Sequence, residues 1–158
     1  MSTAYFGAGM IKNDDLETTA GEPGGAWKAW TPTLTNWTVG ANAVNAKYIQ
    51  IGKTVFFRLY WKFGAGAAMG TGAFFSLPVT SISYPGAAEL QVLGTGSVLD
   101  VGTATYGVQV VWSTTTTAML QVFGVAATYP TAATFSATVP MTWTSNDELY
   151  VSGTYEAA

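Results

Sequence analysis

The segment that most restricts the fold is residues 54–63, TVFFRLYWKF. Val55, Phe57, Leu59, Trp61 and Phe63 occupy alternate positions, and Phe56, Arg58, Tyr60 and Lys62 fill the positions between them. Side chains of a strand alternate between its two faces, so this spacing places all the first set on one side; a helix would scatter them around its axis. The segment is predicted to be a strand with its first set in a core. Residues 44–51, VNAKYIQI, alternate in the same way, with Val44, Ala46, Tyr48 and Gln50 against Asn45, Lys47, Ile49 and Ile51. Gly52-Lys53 between the two runs has the composition of a tight turn, and the three pieces together predict a β-hairpin.

The rest of the chain repeats this type of signal. Strands are predicted over residues 30–39, 73–77, 89–94, 98–100, 106–112, 118–124, 133–139 and 148–155. Pro32 near the start of the first marks it as a first or edge strand. The glycine-rich stretch 64–72 (GAGAAMGTG) is expected to be a flexible loop, 81–87 a turn, 113–117 (STTTT) a hairpin connection, and Asn146-Asp147 the last turn. The glycine-rich stretch is no phosphate-binding loop, because no Lys-Ser or Lys-Thr follows it and its flanks read as strands. Roughly eight to ten short strands without a convincing helix predict an all-β, jelly-roll-like two-sheet β-sandwich, with a closed up-and-down barrel as the other option. No constant repeat period suggests a propeller or β-helix.

A chain of 158 residues has room for one domain, taken here as 27–158. Residues 1–26 are polar and acidic, carry the breaker run Gly21-Glu22-Pro23-Gly24-Gly25, and read as an extended N-terminal arm. Tyr5, Phe6, Met10, Ile11 and Leu16 make it more apolar than a solvated tail requires. They are the candidates for an anchor that orders on a partner; the other reading is a leader that stays free or packs on its own domain.

The residue inventory narrows function by exclusion. Without His the chain lacks the commonest general base and metal ligand, and without Cys it has no thiol nucleophile, disulfide or thiolate zinc site. Carboxylates remain, but a glycosidase-like pair needs two of them facing each other across a cleft. Asp147 and Glu148 lie in a turn signature and Glu156 near the end of the chain, so solvated positions are expected for them. The spacing of Asp14, Asp15 and Glu17 does not match an EF-hand loop. The reading is therefore non-enzymatic, with no cofactor and no metal. No basic run suggests nucleic-acid binding, and no window approaches the length of a membrane-spanning helix. The beginning of the chain does not read as a secretory signal, so synthesis in the cytoplasm of the producing cell is expected.

Charge gives a clue to partners. Only 9% of residues are charged, which is sparse for a fully solvated surface and suggests that other chains cover part of it. Lys28, Lys47, Lys53, Arg58 and Lys62 all fall within 27–62, where there is no acid, whereas 63–158 hold Glu89, Asp100, Asp147, Glu148 and Glu156 and no base. The two halves either present opposite potentials to neighbouring copies or interleave and mix. Phe56, Arg58, Tyr60 and Lys62, on the second face of the 54–63 strand, are the candidate subunit-interface residues. The six Trp belong to core or interface on this reading, with a carbohydrate-stacking platform as the other use of such rings.

Several short pieces, in order, carry a family likeness: Trp30-Thr31-Pro32-Thr33-Leu34, Tyr48-Ile49-Gln50-Ile51-Gly52-Lys53-Thr54-Val55, Leu77-Pro78, Gly94 and Gly96 with Asp100, and Gly153-Thr154-Tyr155-Glu156-Ala157. Over residues 27–158 the chain resembles the β-sandwich modules of tailed-bacteriophage virion proteins, which occur as heads of minor tail proteins and fibres and as capsid surface proteins. The resemblance implies a homotrimer on the virion surface. The chain departs from the fibre type, since residues 1–26 contain no heptads and no collagen-like repeat. A short arm and a compact domain suit a capsid decoration protein docked on the major capsid protein and stabilising the shell. The alternative is a minor tail protein, a tail-tip module that recognises host surface glycan.

Overall fold

A computed structural model of the chain describes residues 26–86, 91–126 and 129–158. Among them every regular element is a strand: β1 (Lys28–Trp30), β2 (Leu34–Thr38), β3 (Asn45–Ile51), β4 (Thr54–Lys62), β5 (Ala68–Ser76), β6 (Val92–Asp100), β7 (Ala104–Thr114), β8 (Thr117–Ala126), β9 (Tyr129–Thr134) and β10 (Glu148–Glu156). The strands pair in the order β1-β3-β4-β10-β6-β7-β8-β5-β2, and β9 adds to β8. Each pairing is antiparallel.

The two ends of this path, β1 and β2, are consecutive in the chain and separated only by Thr31, Pro32 and Thr33. That short link forces the sheet to curl until its ends approach each other. Trp30 on β1 consequently meets both Phe57 of β4, at 6.4 Å between ring centroids, and Phe75 of β5, at 6.0 Å. The all-β expectation holds, in the form of one curled antiparallel sheet. Hydrogen bonding runs through the whole path and does not by itself divide it into two sheets.

The β3–β4 hairpin has the expected register, Ile51 opposite Thr54 and Asn45 opposite Tyr60, with Gly52 at φ 58° in the turn. Val55, Phe57, Leu59, Trp61 and Phe63 are all buried. Four segments differ from expectation. The strands predicted at 89–94 and 98–100 are one, β6, because Thr95, Gly96 and Ser97 stay in register with both β7 and β10. The run 30–39 is split at Pro32, whose missing N–H cannot join a ladder; β1 pairs with β3 and β2 with β5. The second part of the glycine-rich stretch is strand, because Met69 is buried and Ala68 and Met69 pair with Thr38 and Trp37. The strand predicted at 133–139 lies earlier, as β9, and Ser136 and Val139 close a turn by bonding to each other.

Gly94, Gly96 and Gly153 bring β6 and β10 close together. A Cβ at Gly96 would strike the carbonyl oxygen of Tyr150 and lie 2.7 Å from Val151 Cα; one at Gly94 would strike the carbonyl of Ser152. These glycines are among the residues that carry the family likeness, and their function here is steric.

Asp147 corrects the sequence reading. It is fully buried, and its carboxylate accepts hydrogen bonds from the Thr144 amide at 2.6 Å and the Val101 amide at 3.1 Å. It ties the turn before β10 to the turn after β6.

Tyr155 provides a second internal tie and a pH-dependent one. Its hydroxyl donates to the Val79 carbonyl at 2.7 Å and accepts from the Val79 amide at 3.0 Å. Burial, the largest influence, pushes the phenol up to about 12, against the Val79 amide bond, which lowers it. The folded state therefore keeps a proton that the unfolded chain, with its ordinary phenol near pH 10, gives up. This contribution is complete below pH 10 and fades as pH rises towards 12. Tyr155→Phe should cost about 1–3 kcal/mol at neutral pH. In thermal melts from pH 8 to 12, the gap between wild type and variant should narrow only above pH 10.

Candidate contact face on β3, β4 and β10

The face opposite the aromatic core gathers the candidate site. Because Val55, Phe57, Leu59 and Trp61 point inward, Phe56, Arg58, Tyr60 and Lys62 point outward together, and cross-strand register extends each into a row. Arg58 lies opposite Lys47 on β3 and Ser152 on β10, and that row continues through Thr95 on β6, Gln109 on β7, Gln121 on β8 and Thr134 on β9. Within it the buried Gln109 amide donates to Gln121 Oε1 at 2.7 Å. A parallel row holds Asn45, Tyr60, Tyr150 and Ser97. A third holds Ile49, Phe56 and Thr154.

The expected subunit-contact residues thus share one face. Phe56 is 40% exposed, and Trp27 at 42% and Tyr150 at 45% stand beside it as further exposed rings. Isolated exposed rings are unremarkable, but several on one sheet face make this patch the candidate contact surface. Trp27 is held there by Arg58, whose guanidinium lies 4.7 Å from the indole centroid. The arm candidates Tyr5, Phe6, Met10, Ile11 and Leu16 lie outside the described residues.

Charge on this face is unevenly compensated. Lys62 pairs with Glu148 at 3.8 Å across β4 and β10. The Tyr60 hydroxyl is raised, first by partial burial and then by the neighbouring Glu148. Lys47 and Arg58, in contrast, stand directly opposite each other with no acid bonded to either among the described residues. Like charges in that position repel.

Arg58 lines one of two shallow depressions and stacks on Trp27, which lines the other. One, of about 280 Å3, is lined by Asn45, Lys47, Arg58, Tyr60 and Tyr150. The other, of about 440 Å3, has Trp27 and Phe56 as walls, Thr95, Ser152 and Thr154 as hydroxyl-bearing rim, and Gly94 and Gly153 in its floor. Among the described residues no carboxylate lines either. The surface offers ring faces, hydroxyls, an amide and cations, the equipment of binding. Among the described residues no group of three or more acidic side chains is placed to hold a metal ion, and no helix is long and apolar enough to cross a membrane.

Lys47, Trp27, Tyr150 and Ser152 are among the side chains of this face that the sequence reading does not single out as site residues. Lys47 was within reach, since the hairpin register alone places it opposite Arg58. Trp27 precedes the first recognised strand, and Tyr150 and Ser152 join the face only through the long-range pairing of β10 with β4. Comparison with protein-family models, with curated proteins and with solved structures finds no significant match.

Proposed function

We propose that this chain is a non-enzymatic structural protein of a tailed-bacteriophage virion, a capsid decoration protein that assembles as a trimer and docks on the major capsid protein. The supporting observation is the outward face of β4, where Phe56 and its exposed aromatic neighbours surround Arg58. On this reading a neighbouring copy covers that face, the curled sheet flattens into the jelly-roll-like sandwich of the modules it resembles, and the arm 1–26 grips the shell. Native mass spectrometry should find a trimer, and Phe56→Glu, which sets a carboxylate in an exposed contact, should give a monomer that keeps the far-ultraviolet circular dichroism of the folded chain. A wild-type monomer at tens of micromolar sinks the trimer.

One observation favours a second reading, a tail-tip module that recognises host surface glycan. The two depressions combine exposed rings with hydroxyls, an amide and uncompensated cations, and a covered subunit contact has no need of opposed Lys47 and Arg58. In that case Phe56→Glu leaves the oligomer intact and lowers glycan binding. Copy number per purified particle separates the two: hundreds indicate capsid, a handful the tail.

A further inference from the structure

We infer that the outward face of β3, β4 and β10 binds an acidic saccharide, with a sugar carboxylate held between Lys47 and Arg58 and an adjoining ring seated against Trp27 and Phe56. The inference rests on the glycan-recognising reading and specifies its ligand class. Its starting point is the cross-strand pair itself. Directly opposed side chains on adjacent antiparallel strands have Cβ atoms about 5 Å apart, so two cations there repel unless an anion lies between them. No described carboxylate is bonded to either, and none lines the depression they share with Asn45, Tyr60 and Tyr150. The compensating anion therefore comes from outside the described fold.

The surroundings select a sugar acid over a bare anion. The Asn45 amide and the two phenols offer hydrogen-bond partners for ring hydroxyls beside the cations, and Tyr150, 45% exposed, offers a ring face. Arg58 links this depression to the next, because it lines the first and stacks on Trp27, which walls the second. Among the described residues the second has no charged group, and rings and hydroxyls surround its Gly94–Gly153 floor. Neither glycine of that floor can carry a side chain, because a Cβ at either would run into the opposite strand's backbone. An acidic unit at Lys47 and Arg58 followed by a neutral ring on Trp27 and Phe56 matches this sequence of groups.

The test uses the full chain in titration calorimetry with tetragalacturonate and its methyl ester, and with sialyllactose and lactose. At least one acid should bind about tenfold or more tightly than its neutral counterpart, with affinity falling as salt rises. Lys47→Gln combined with Arg58→Gln should abolish the preference without lowering the melting temperature, and Trp27→Ala should weaken binding of acid and neutral forms alike. Equal binding of acid and neutral forms, or a preference that survives the double substitution, overturns the carboxylate clamp and leaves glycan recognition standing. No binding of any of the four removes both.

Discussion

Asp147→Ala is expected to lower the stability of the fold by about 3–5 kcal/mol, enough to remove a large part of the margin of a typical domain. The side chain is fully buried and replaces water for two backbone amides, those of Thr144 and Val101. Alanine leaves both amides without their acceptor at the edge of the core, and each lost bond to a charged acceptor is worth roughly 1.5–3 kcal/mol. The effect spreads beyond the turn, because the backbone of Asp147 accepts from the Phe63 amide at 2.7 Å and so continues the pairing of β4 with β10 beyond Lys62. Asp147→Asn keeps the shape but retains only one acceptor atom, and should cost about half as much. Urea denaturation measures both; a loss below about 1 kcal/mol for alanine would show that the two turns hold without the carboxylate.

This residue also shows where the sequence stops being informative. Asp147 has the composition of a solvated turn, and the arrival of Val101 from the turn after β6 makes its carboxylate a tie between two distant parts of the chain. The β3–β4 hairpin was readable because its signal is local: period-two alternation on both sides of a glycine turn fixes register and face at once. Met69 gave no such signal. Glycine and alanine around it look like loop until β2 supplies a partner ladder from more than thirty residues upstream. The candidate site divides along the same line. Phe56, Arg58, Tyr60 and Lys62 were found from one strand's alternation, and Lys47 follows from the hairpin. Trp27, Tyr150 and Ser152 were hidden because their placement depends on strands brought alongside by the curl of the sheet.

Trp61→Ala should be the most damaging single substitution in the core, costing about 4–5 kcal/mol. Trp61 has no exposed surface and sits at the centre of an aromatic cluster, with ring centroids 5.0 Å from Trp37, 5.3 Å from Phe63 and 6.1 Å from Trp143. Truncation removes the transfer energy of a whole indole and leaves a cavity walled by three rings that β-sheet backbone holds apart, so collapse is restricted. It also strands the Val39 carbonyl, to which the indole N–H donates at 3.2 Å. Trp61→Phe separates these contributions: the ring contacts largely persist, the hydrogen bond does not, and a loss of about 1–2 kcal/mol is expected. Because Tyr60 and Lys62 flank Trp61 on the opposite face of β4, the alanine variant should also loosen the outward surface. Near-ultraviolet circular dichroism reads the ring cluster directly and should lose most of its signal in the alanine variant while far-ultraviolet signal persists. A fully retained near-ultraviolet spectrum would mean that Trp37, Phe63 and Trp143 order one another without Trp61, and that the core is organised from a different centre.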